Sequence, residues 1–256
     1  MKLLVWVLAA ASLGASVFGH GGVEEAASPA VSFLKLSAVF LVALVIVALV
    51  KRKLTAGQKK ILFIAICLFV LAPTLFMGFS TIRENLESVT KGPVHWHADY
   101  IVEVCGERLD LGDPEFMANR VGDPLLHEHD DSRMHIEGAV RELEDVSLHE
   151  YFEKIGGELA PGRFAYPSDK GLVEKQDGDA CAEGPGTLKV YVNGRELSDF
   201  EYVPYPDSYV PPGDCIVVRF AAEHGAVPLC ESWESEGWSY DSFVREPRQV
   251  GEMSWR

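Results

Sequence analysis

The last two thirds of this 256-residue chain contain few basic side chains. Residues 92–256 carry 14 Lys and Arg against 34 Asp and Glu, a formal charge of 14 − 34 = −20. A surface this acidic repels nucleic acid and anionic lipid headgroups, so we expect no nucleic-acid partner. It attracts cations, although solubility or adaptation to salt would favour the same composition. The segment has about 165 residues, an ordinary length for one domain.

Several sulfur and nucleophile motifs are also missing. The chain has no Cys-x-x-Cys pair and no cysteine beside a histidine pair, which disfavours zinc ligation by thiolates. It lacks the Cys-x-His and axial Met pattern of a blue-copper site and any serine or cysteine nucleophile constellation. Four cysteines do lie in the acidic segment, an even number that favours disulfides in an oxidising compartment. Four cysteines can pair in three ways, and the sequence does not choose among them. The four are Cys105, Cys181, Cys215 and Cys230.

Long apolar runs distinguish residues 1–91 from the rest of the chain. Residues 1–19 have a positive start, a short apolar region and small residues near the end, which is typical of a signal peptide. An uncleaved anchor would have the same features. Residues 31–50 and 61–79 are each long enough to form a transmembrane helix. The sequence therefore predicts a membrane-anchored protein.

The charges between these two runs predict the orientation of the chain. Residues 51–60 contain five basic side chains and are expected to form a cytoplasmic loop. Residues 80–91 are polar and would form a stalk or continue the helix. Residues 92–230 would then form an extracytoplasmic domain, followed by an acidic, aromatic-rich tail at 231–256. We expect this tail to lie over the domain or at the membrane interface.

Short alternating segments predict the fold of the outer domain. Residues 100–104 and 188–192 are typical strands, and each is followed by a turn and a short returning strand. A further strand is expected at 215–220. Between the hairpins, Ser147 is an N-cap with Glu150 three residues later, followed by the apolar stripe of a helix. The fold class predicted is α+β, a small, mostly antiparallel or mixed sheet with one packed helix. Residues 160–186, rich in Gly, Pro, Asp and Ala, are expected to form a long surface loop.

Five of the eight histidines fall within 41 residues and form three alternating pairs, two of the type His-x-His and a third in which His135 is followed by Glu137. Side chains two apart in a strand point to the same side of a sheet, so each pair aims two metal-binding groups in one direction. Neutral imidazole is a good ligand for Cu(II), Zn(II), Ni(II) and Fe(II). The predicted site is one composite site of His95, His97, His127, His129 and His135, with Glu137 or Asp99 completing or orienting the ligand shell. The other histidines, His20, His149 and His224, are expected to be ordinary surface or core residues.

The ordered motifs resemble those of a group of extracytoplasmic bacterial and archaeal domains. The resemblance covers about residues 93–220 and rests on His-x-His-x-Asp, Leu-His-x-His-Asp and Met-His-Ile-Glu, followed by the helix and the second hairpin. Those blocks are 95–106, 126–130, 134–137, 148–156 and 190–194. The group has no established activity, so the resemblance implies a shared metal-binding-type fold and export but no reaction. Cys105 and the 160–186 segment depart from the pattern.

Three functions remain open at this stage. The first is a membrane-anchored, extracytoplasmic metal-binding protein, with copper or zinc as the metal. The second is a metal-dependent hydrolase or oxidoreductase at the same site, with Asp130 or Glu137 as the base. The third is a non-catalytic interaction or pH-sensing module whose histidines are structural.

Overall fold

The computed structural model describes residues 29–51, 53–115, 118–204 and 213–241. The predicted signal peptide, His20 and most of the aromatic tail lie outside the described residues. The chain divides into two compact units, residues 1–84 and 85–256.

The first unit contains the long apolar helix α1 (Pro29–Val50) and all but the last three residues of a second one, α2 (Ala56–Glu87). Phe40 stacks on Phe69 and Phe33 contacts Phe76, so the early part of α1 packs against the late part of α2. This is an antiparallel hairpin. Both helices are long and apolar enough to cross a membrane, and only 6% of the most apolar stretch of each helix is buried. The second helix extends through most of the segment expected to be a stalk.

The second unit combines a mixed sheet with short helices, as the predicted α+β class requires. Among the described residues, eight strands form its central sheet: β1 Pro93–Val104, β2 Glu107–Leu109, β3 Val121–Gly122, β4 Leu126–Glu128, β5 Arg133–Ala139, β11 Thr187–Val192, β12 Arg195–Leu197 and β13 Asp214–Ala221. Their order in the sheet is β12-β11-β13-β1-β5-β4-β3, with β2 paired to β1. The helices are a 3-10 turn at Leu143–Val146, α3 at Leu148–Lys154 and α4 at Glu231–Ser235.

Strand β1 is the centre of the sheet. It runs parallel to β13 on one side and antiparallel to β5 and β2 on the other, so the sheet is mixed. The predicted helix forms as α3, where the Ser147 hydroxyl accepts a hydrogen bond from the Glu150 N–H. This helix buries Leu148, Tyr151 and Phe152 against the core.

The two faces of the central sheet have different environments. Trp96, Ala98 and Tyr100 of β1 belong to the main hydrophobic core, which also contains the apolar side of α3. The alternate residues of β1 lie on the opposite face. Part of that face is covered by a smaller apolar cluster that includes Ile101 and Trp233. The remainder, towards β4, carries the histidines.

Two disulfides tie loops to this sheet. Cys105 in the β1–β2 turn is bonded to Cys181, and Cys215 at the start of β13 is bonded to Cys230, just before α4. The second bond holds the C-terminal segment, including the buried Trp233, over the sheet. This part of the tail therefore lies over the domain, as one of the two expectations stated. Residues 242–256 lie outside the described ranges.

The prediction of a long surface loop at 160–186 is wrong. This segment contains most of a three-stranded antiparallel sheet, β6 (Glu158–Ala160), β7 (Arg163–Ser168) and β8 (Gly171–Gln176), and a small ribbon of β9 (Ala180–Cys181) and β10 (Gly184–Pro185). Phe164 and Tyr166 alternate into the core. Burial of these two aromatic side chains outweighs the turn-rich composition on which the loop prediction depended.

Candidate metal centre

A row of histidines crosses three neighbouring strands of the central sheet. His97 in β1 pairs with His135 in β5, and His135 pairs in turn with His127 in β4. Because residues paired across strands point to the same face, all three imidazoles project from the side opposite the main core. Two residues along the strands, and therefore on the same face, His95 pairs with Glu137. The register thus places five of the predicted site residues in one patch.

His129 joins this patch from the turn after β4. Its Nε2 lies 3.1 Å from Nε2 of His127, and its Nδ1 lies 2.5 Å from the backbone carbonyl oxygen of Asn119. That carbonyl can only accept, so the proton of a neutral His129 is on Nδ1 and its Nε2 presents a lone pair. A backbone carbonyl bonded to the second ring nitrogen is a common way of fixing the tautomer of a metal-binding histidine.

A buried carboxylate holds the turn that carries His129. Glu128 points away from the patch and accepts hydrogen bonds from the backbone N–H groups of Asp130, Asp131 and Ser132, at 2.6–2.8 Å. Asp130 and Ser132 both have positive φ, an uncommon conformation for residues with a side chain. Three charge-assisted bonds to one carboxylate stabilise this conformation.

The neighbouring strand fits closely against His127. Gly122 in β3 pairs with His127 and has φ of +109°. A Cβ at this position would lie 2.5 Å from the Leu126 carbonyl oxygen and 2.9 Å from the His127 Cα. A larger residue would therefore push β4 away and move His127.

Four side chains converge into the first ligand group. His127, His129, His135 and Glu137 each offer one ligand atom, and these atoms all lie within 4.8 Å of one another. Within the group, His127 Nε2 lies 4.0 Å from Glu137 Oε2, and His135 Nδ1 lies 3.9 Å from Glu137 Oε1. Three nitrogens and one carboxylate oxygen are a common donor set for Zn(II) and Cu(II). His127 and His135 are buried, and His129 and Glu137 are partly exposed.

His95, His97 and His135 form a second, overlapping group, again with ligand atoms within 4.8 Å of one another. The His97 and His135 ring centroids are 4.7 Å apart, and those of His95 and His97 are 4.5 Å apart. His95 Nε2 also lies 2.9 Å from Glu137 Oε1. The sequence predicted a single composite site, whereas the structure contains two groups that share His135.

The protein environment keeps three of these imidazoles neutral. Burial lowers the pKa of His97 to about 4, and the neighbouring His135 and His95 act in the same direction. Burial also lowers the pKa of His127 and of His135. A neutral imidazole is the form that binds a metal. The lowered pKa values therefore favour metal binding over protonation.

Two ring nitrogens in the cluster are left without hydrogen bonds. Nδ1 of His127 and Nδ1 of His135 are buried and have no hydrogen-bond partner within the described part of the chain. A buried polar atom without a partner costs free energy, on the order of 1–3 kcal/mol. Coordination of a metal by Nδ1 of His135, which lies 3.9 Å from Glu137 Oε1, would remove that cost at His135, whereas His127 faces His129 and Glu137 with its other nitrogen, Nε2.

Asp99 does not belong to the cluster, although it continues the alternation of His95 and His97. It pairs with Arg133 across β1 and β5, and its Oδ1 accepts a hydrogen bond of 2.7 Å from Arg133 Nε. Burial raises the Asp99 pKa to about 6, while Arg133 opposes the rise. The Asp99 carboxylate is therefore paired with the Arg133 guanidinium. Its position does not support the expected role of Asp99 as a metal ligand or as a residue that orients one.

The sequence did not identify two residues that support the cluster. Asp131, rather than Asp130, contacts a histidine of the site, with Oδ2 3.0 Å from His135 Nε2. Glu128, for which the sequence predicted no role, accepts the three backbone hydrogen bonds that hold the turn. The only sequence feature that indicated the contact between Asp131 and His135 was their separation of four residues across a turn. The burial of Glu128 depends on tertiary packing and left no signal.

The remaining described histidines lie outside the cluster, as expected. His149 Nδ1 lies 2.7 Å from the Leu159 carbonyl oxygen, and His224 Nε2 lies 3.0 Å from the Thr187 hydroxyl. Neither belongs to a group of potential ligands within the described ranges. They provide matched controls for substitutions in the site.

No protein-family model, curated protein or solved structure matches this chain. The resemblance of its ordered motifs to an extracytoplasmic family therefore stays a prediction.

Proposed function

We propose that this protein is a membrane-anchored metal-binding protein whose His-rich domain faces the outside of the cytoplasm. The main support is the convergence of His127, His129, His135 and Glu137 on one small volume. Hydrogen bonding within the protein accounts for only part of their polar atoms. His127 and His135 each have one buried ring nitrogen without a hydrogen-bond partner among the described residues and a lowered pKa, which favours metal binding over a purely structural role.

The donor set favours copper or zinc in the divalent state. Imidazole nitrogens and a carboxylate oxygen suit Zn(II) and Cu(II), whereas Cu(I) prefers thiolate and thioether sulfur. All four cysteines of the domain are in disulfides, so they supply no thiolate. Tetrahedral zinc has ligand bonds of about 2.0–2.1 Å, which places its donor atoms about 3.3 Å apart. The 3.1 Å between His127 Nε2 and His129 Nε2 is close to that separation.

The location of the domain outside the cytoplasm is supported by the two apolar helices, by the basic residues between them and by the disulfides. The helices α1 and α2 are apolar over a full membrane thickness and are almost wholly exposed, unlike core helices of soluble proteins. The basic residues near the connection between them favour a cytoplasmic position for that connection by the positive-inside rule, and α2 would then lead outward. Disulfides persist mainly in oxidising compartments, which agrees with this orientation.

The direct test is the affinity of the full-length chain for Zn(II), measured in detergent by competition with a chromophoric chelator and without a histidine tag. We expect the H127A/H129A variant to bind at least about 100-fold more weakly than the wild type. The matched control H149A/H224A removes the same number of histidines and should bind like the wild type. Equal affinity of all three proteins would contradict the proposal.

A catalytic role at the same site is the second candidate, favoured by one observation. A cleft of about 320 Å³ adjoins the cluster and is lined by Asp131, Arg133 and Arg108, among others. Asp131 contacts both this cleft and His135. A ligand bound in the cleft would lie near a metal at the cluster, as a metal-dependent hydrolase or oxidoreductase requires. A catalytic site needs an exchangeable coordinated water, which pulsed EPR of the Cu(II) form in deuterated water detects.

A further inference from the structure

The cluster contains more ligand atoms than one metal ion can use. Five imidazoles and one carboxylate offer at least seven donor atoms, whereas Zn(II) is almost always four-coordinate. Two donor atoms on the same ion, with bonds of about 2.1 Å, cannot be more than about 4.2 Å apart. The excess of donors therefore raises the question of whether all six residues can surround one centre.

The geometry separates the donors into two sets. In the described part of the chain, the two sets whose ligand atoms lie within 4.8 Å of one another each contain only some of the six residues. His127 and His129 belong to one group, and His95 and His97 belong to the other. Each His-x-His pair therefore belongs to a separate ligand group, one on each side of β5.

Two residues of β5 lie between these groups. His135 belongs to both groups, and its ring centroid lies 4.7 Å from that of His97 and 4.8 Å from that of His129. Glu137 has one oxygen on each side: Oε1 is 2.9 Å from His95 Nε2, and Oε2 is 4.0 Å from His127 Nε2. A carboxylate with its two oxygens directed to different sides is a typical bridging ligand of two-metal sites.

We infer that the domain binds two metal ions, one at each His-x-His pair, with Glu137 bridging them through its two carboxylate oxygens and His135 binding one of the two. This inference rests on the proposed metal-binding function and specifies its stoichiometry. The first ion is held by His127 and His129, and the second by His95 and His97. The two centres differ in access, because the His127 side chain is buried and the His95 side chain is 62% exposed. The ion at His95 and His97 is therefore the one that exchanges faster with solution.

The acidic composition of residues 92–256 favours the second cation. Two divalent ions in close proximity repel each other, and the carboxylate of Glu137 between them offsets part of that repulsion. The formal charge of the segment lowers the cost further.

The test is the number of Zn(II) ions per full-length chain, determined by titration in detergent and elemental analysis after removal of free metal. We expect two ions in the wild type, two in H149A/H224A and one in H95A/H97A. The His95 and His97 side chains are outside the main core, so this variant should keep its fold, which circular dichroism checks.

The outcomes separate this inference from the proposed function. One ion in the wild type would overturn the second centre and leave the metal-binding function intact. No ion in the wild type would overturn both. Two ions in H95A/H97A would place the second ion elsewhere, on the acidic surface, and would also overturn the inference.

The Cu(II)-loaded wild type provides a measurement that does not depend on a variant. Two Cu(II) ions that share a ligand lie on the order of 4 Å apart and interact magnetically. We expect a half-field EPR signal from the protein with two ions, and none from H95A/H97A. A spectrum of two magnetically isolated ions in the wild type would contradict the bridging carboxylate.

Discussion

The Nε2 atoms of His127 and His129 face each other at 3.1 Å. Since Nδ1 of His129 is bonded to a carbonyl oxygen, a neutral His129 has a lone pair at Nε2, and His127 must donate to it. His127 Nδ1 is then a buried acceptor without a partner among the described residues. A metal held by both Nε2 atoms would replace this bond between the imidazoles, and Nδ1 of His127 would then carry the proton, still without a partner among the described residues. The contact therefore resembles one edge of a coordination sphere.

Zinc should stabilise the folded protein through this contact. With free Zn(II) at 100 times its dissociation constant, binding adds about 2.7 kcal/mol to the free energy of unfolding. For a domain of this size the melting temperature should rise by roughly 5–10 °C. Differential scanning fluorimetry of the full chain with and without Zn(II) measures this shift. H127A/H129A should lose most of it, and H149A/H224A should keep it.

Glu128→Gln tests the carboxylate that holds the His129 turn. Glutamine has one acceptor oxygen, so it cannot receive all three backbone hydrogen bonds, and its amide would face N–H groups. We expect a loss of about 1–3 kcal/mol in the free energy of unfolding, measured by denaturant titration. Zn(II) affinity should also fall, because His129 loses its fixed position. A variant with unchanged affinity would show that this turn does not position the ligand.

The metal-free protein should become less stable in acid because of His97. An unfolded histidine takes up its proton near pH 6.5, whereas the folded His97 has a pKa of about 4. Between these values the unfolded state binds more protons, so the contribution of His97 to stability is present above pH 6.5 and is lost as the pH falls to about 4.

His97→Gln isolates this effect from other groups that titrate in the same range, including Asp99, whose raised pKa acts in the opposite direction. Melting temperatures of the wild type and the variant, both with a chelator, are compared at pH 7.5 and 4.5. Relative to the variant, the wild type should be less stable at pH 4.5 than at pH 7.5. An unchanged difference between the two proteins would contradict the lowered pKa.

The location of the domain predicts the state of its cysteines. If the domain is exported, Cys105–Cys181 and Cys215–Cys230 form in the cell, and Cys67 is the free cysteine in the described part of the chain. Denatured, unreduced protein should therefore react with one maleimide, and reduced protein with five. Mass spectrometry counts the labels. Five labels before reduction would place the domain in a reducing compartment.

Local rules were sufficient to predict much of the site but not its boundaries. The period of two in a strand put His95 and His97 on one face, and the same rule applied to His135 and Glu137. That rule also included Asp99, which the register pairs with Arg133 instead. Register depends on the partner strand, so the sequence of β1 alone could not separate a ligand from a salt-bridged carboxylate.

In the fold, too, the elements that depend on local sequence were predicted, and those that depend on tertiary contacts were not. The Ser147 cap and the apolar stripe of α3 are local and were predicted correctly. The sheet at 158–176 was missed because Gly, Pro and Asp conceal the alternation of Phe164 and Tyr166. The disulfide pairing was left open, since it depends on which loops the central sheet brings together.

The most direct test of metal binding is the metal content of the untagged full-length chain after exposure to Zn(II) and exhaustive dialysis. Elemental mass spectrometry should find at least one tightly bound ion per wild-type chain. It should find less in H127A/H129A and the wild-type amount in H149A/H224A. A folded wild-type protein that retains no more zinc than H127A/H129A would contradict the account and favour histidines with a structural or pH-sensing role.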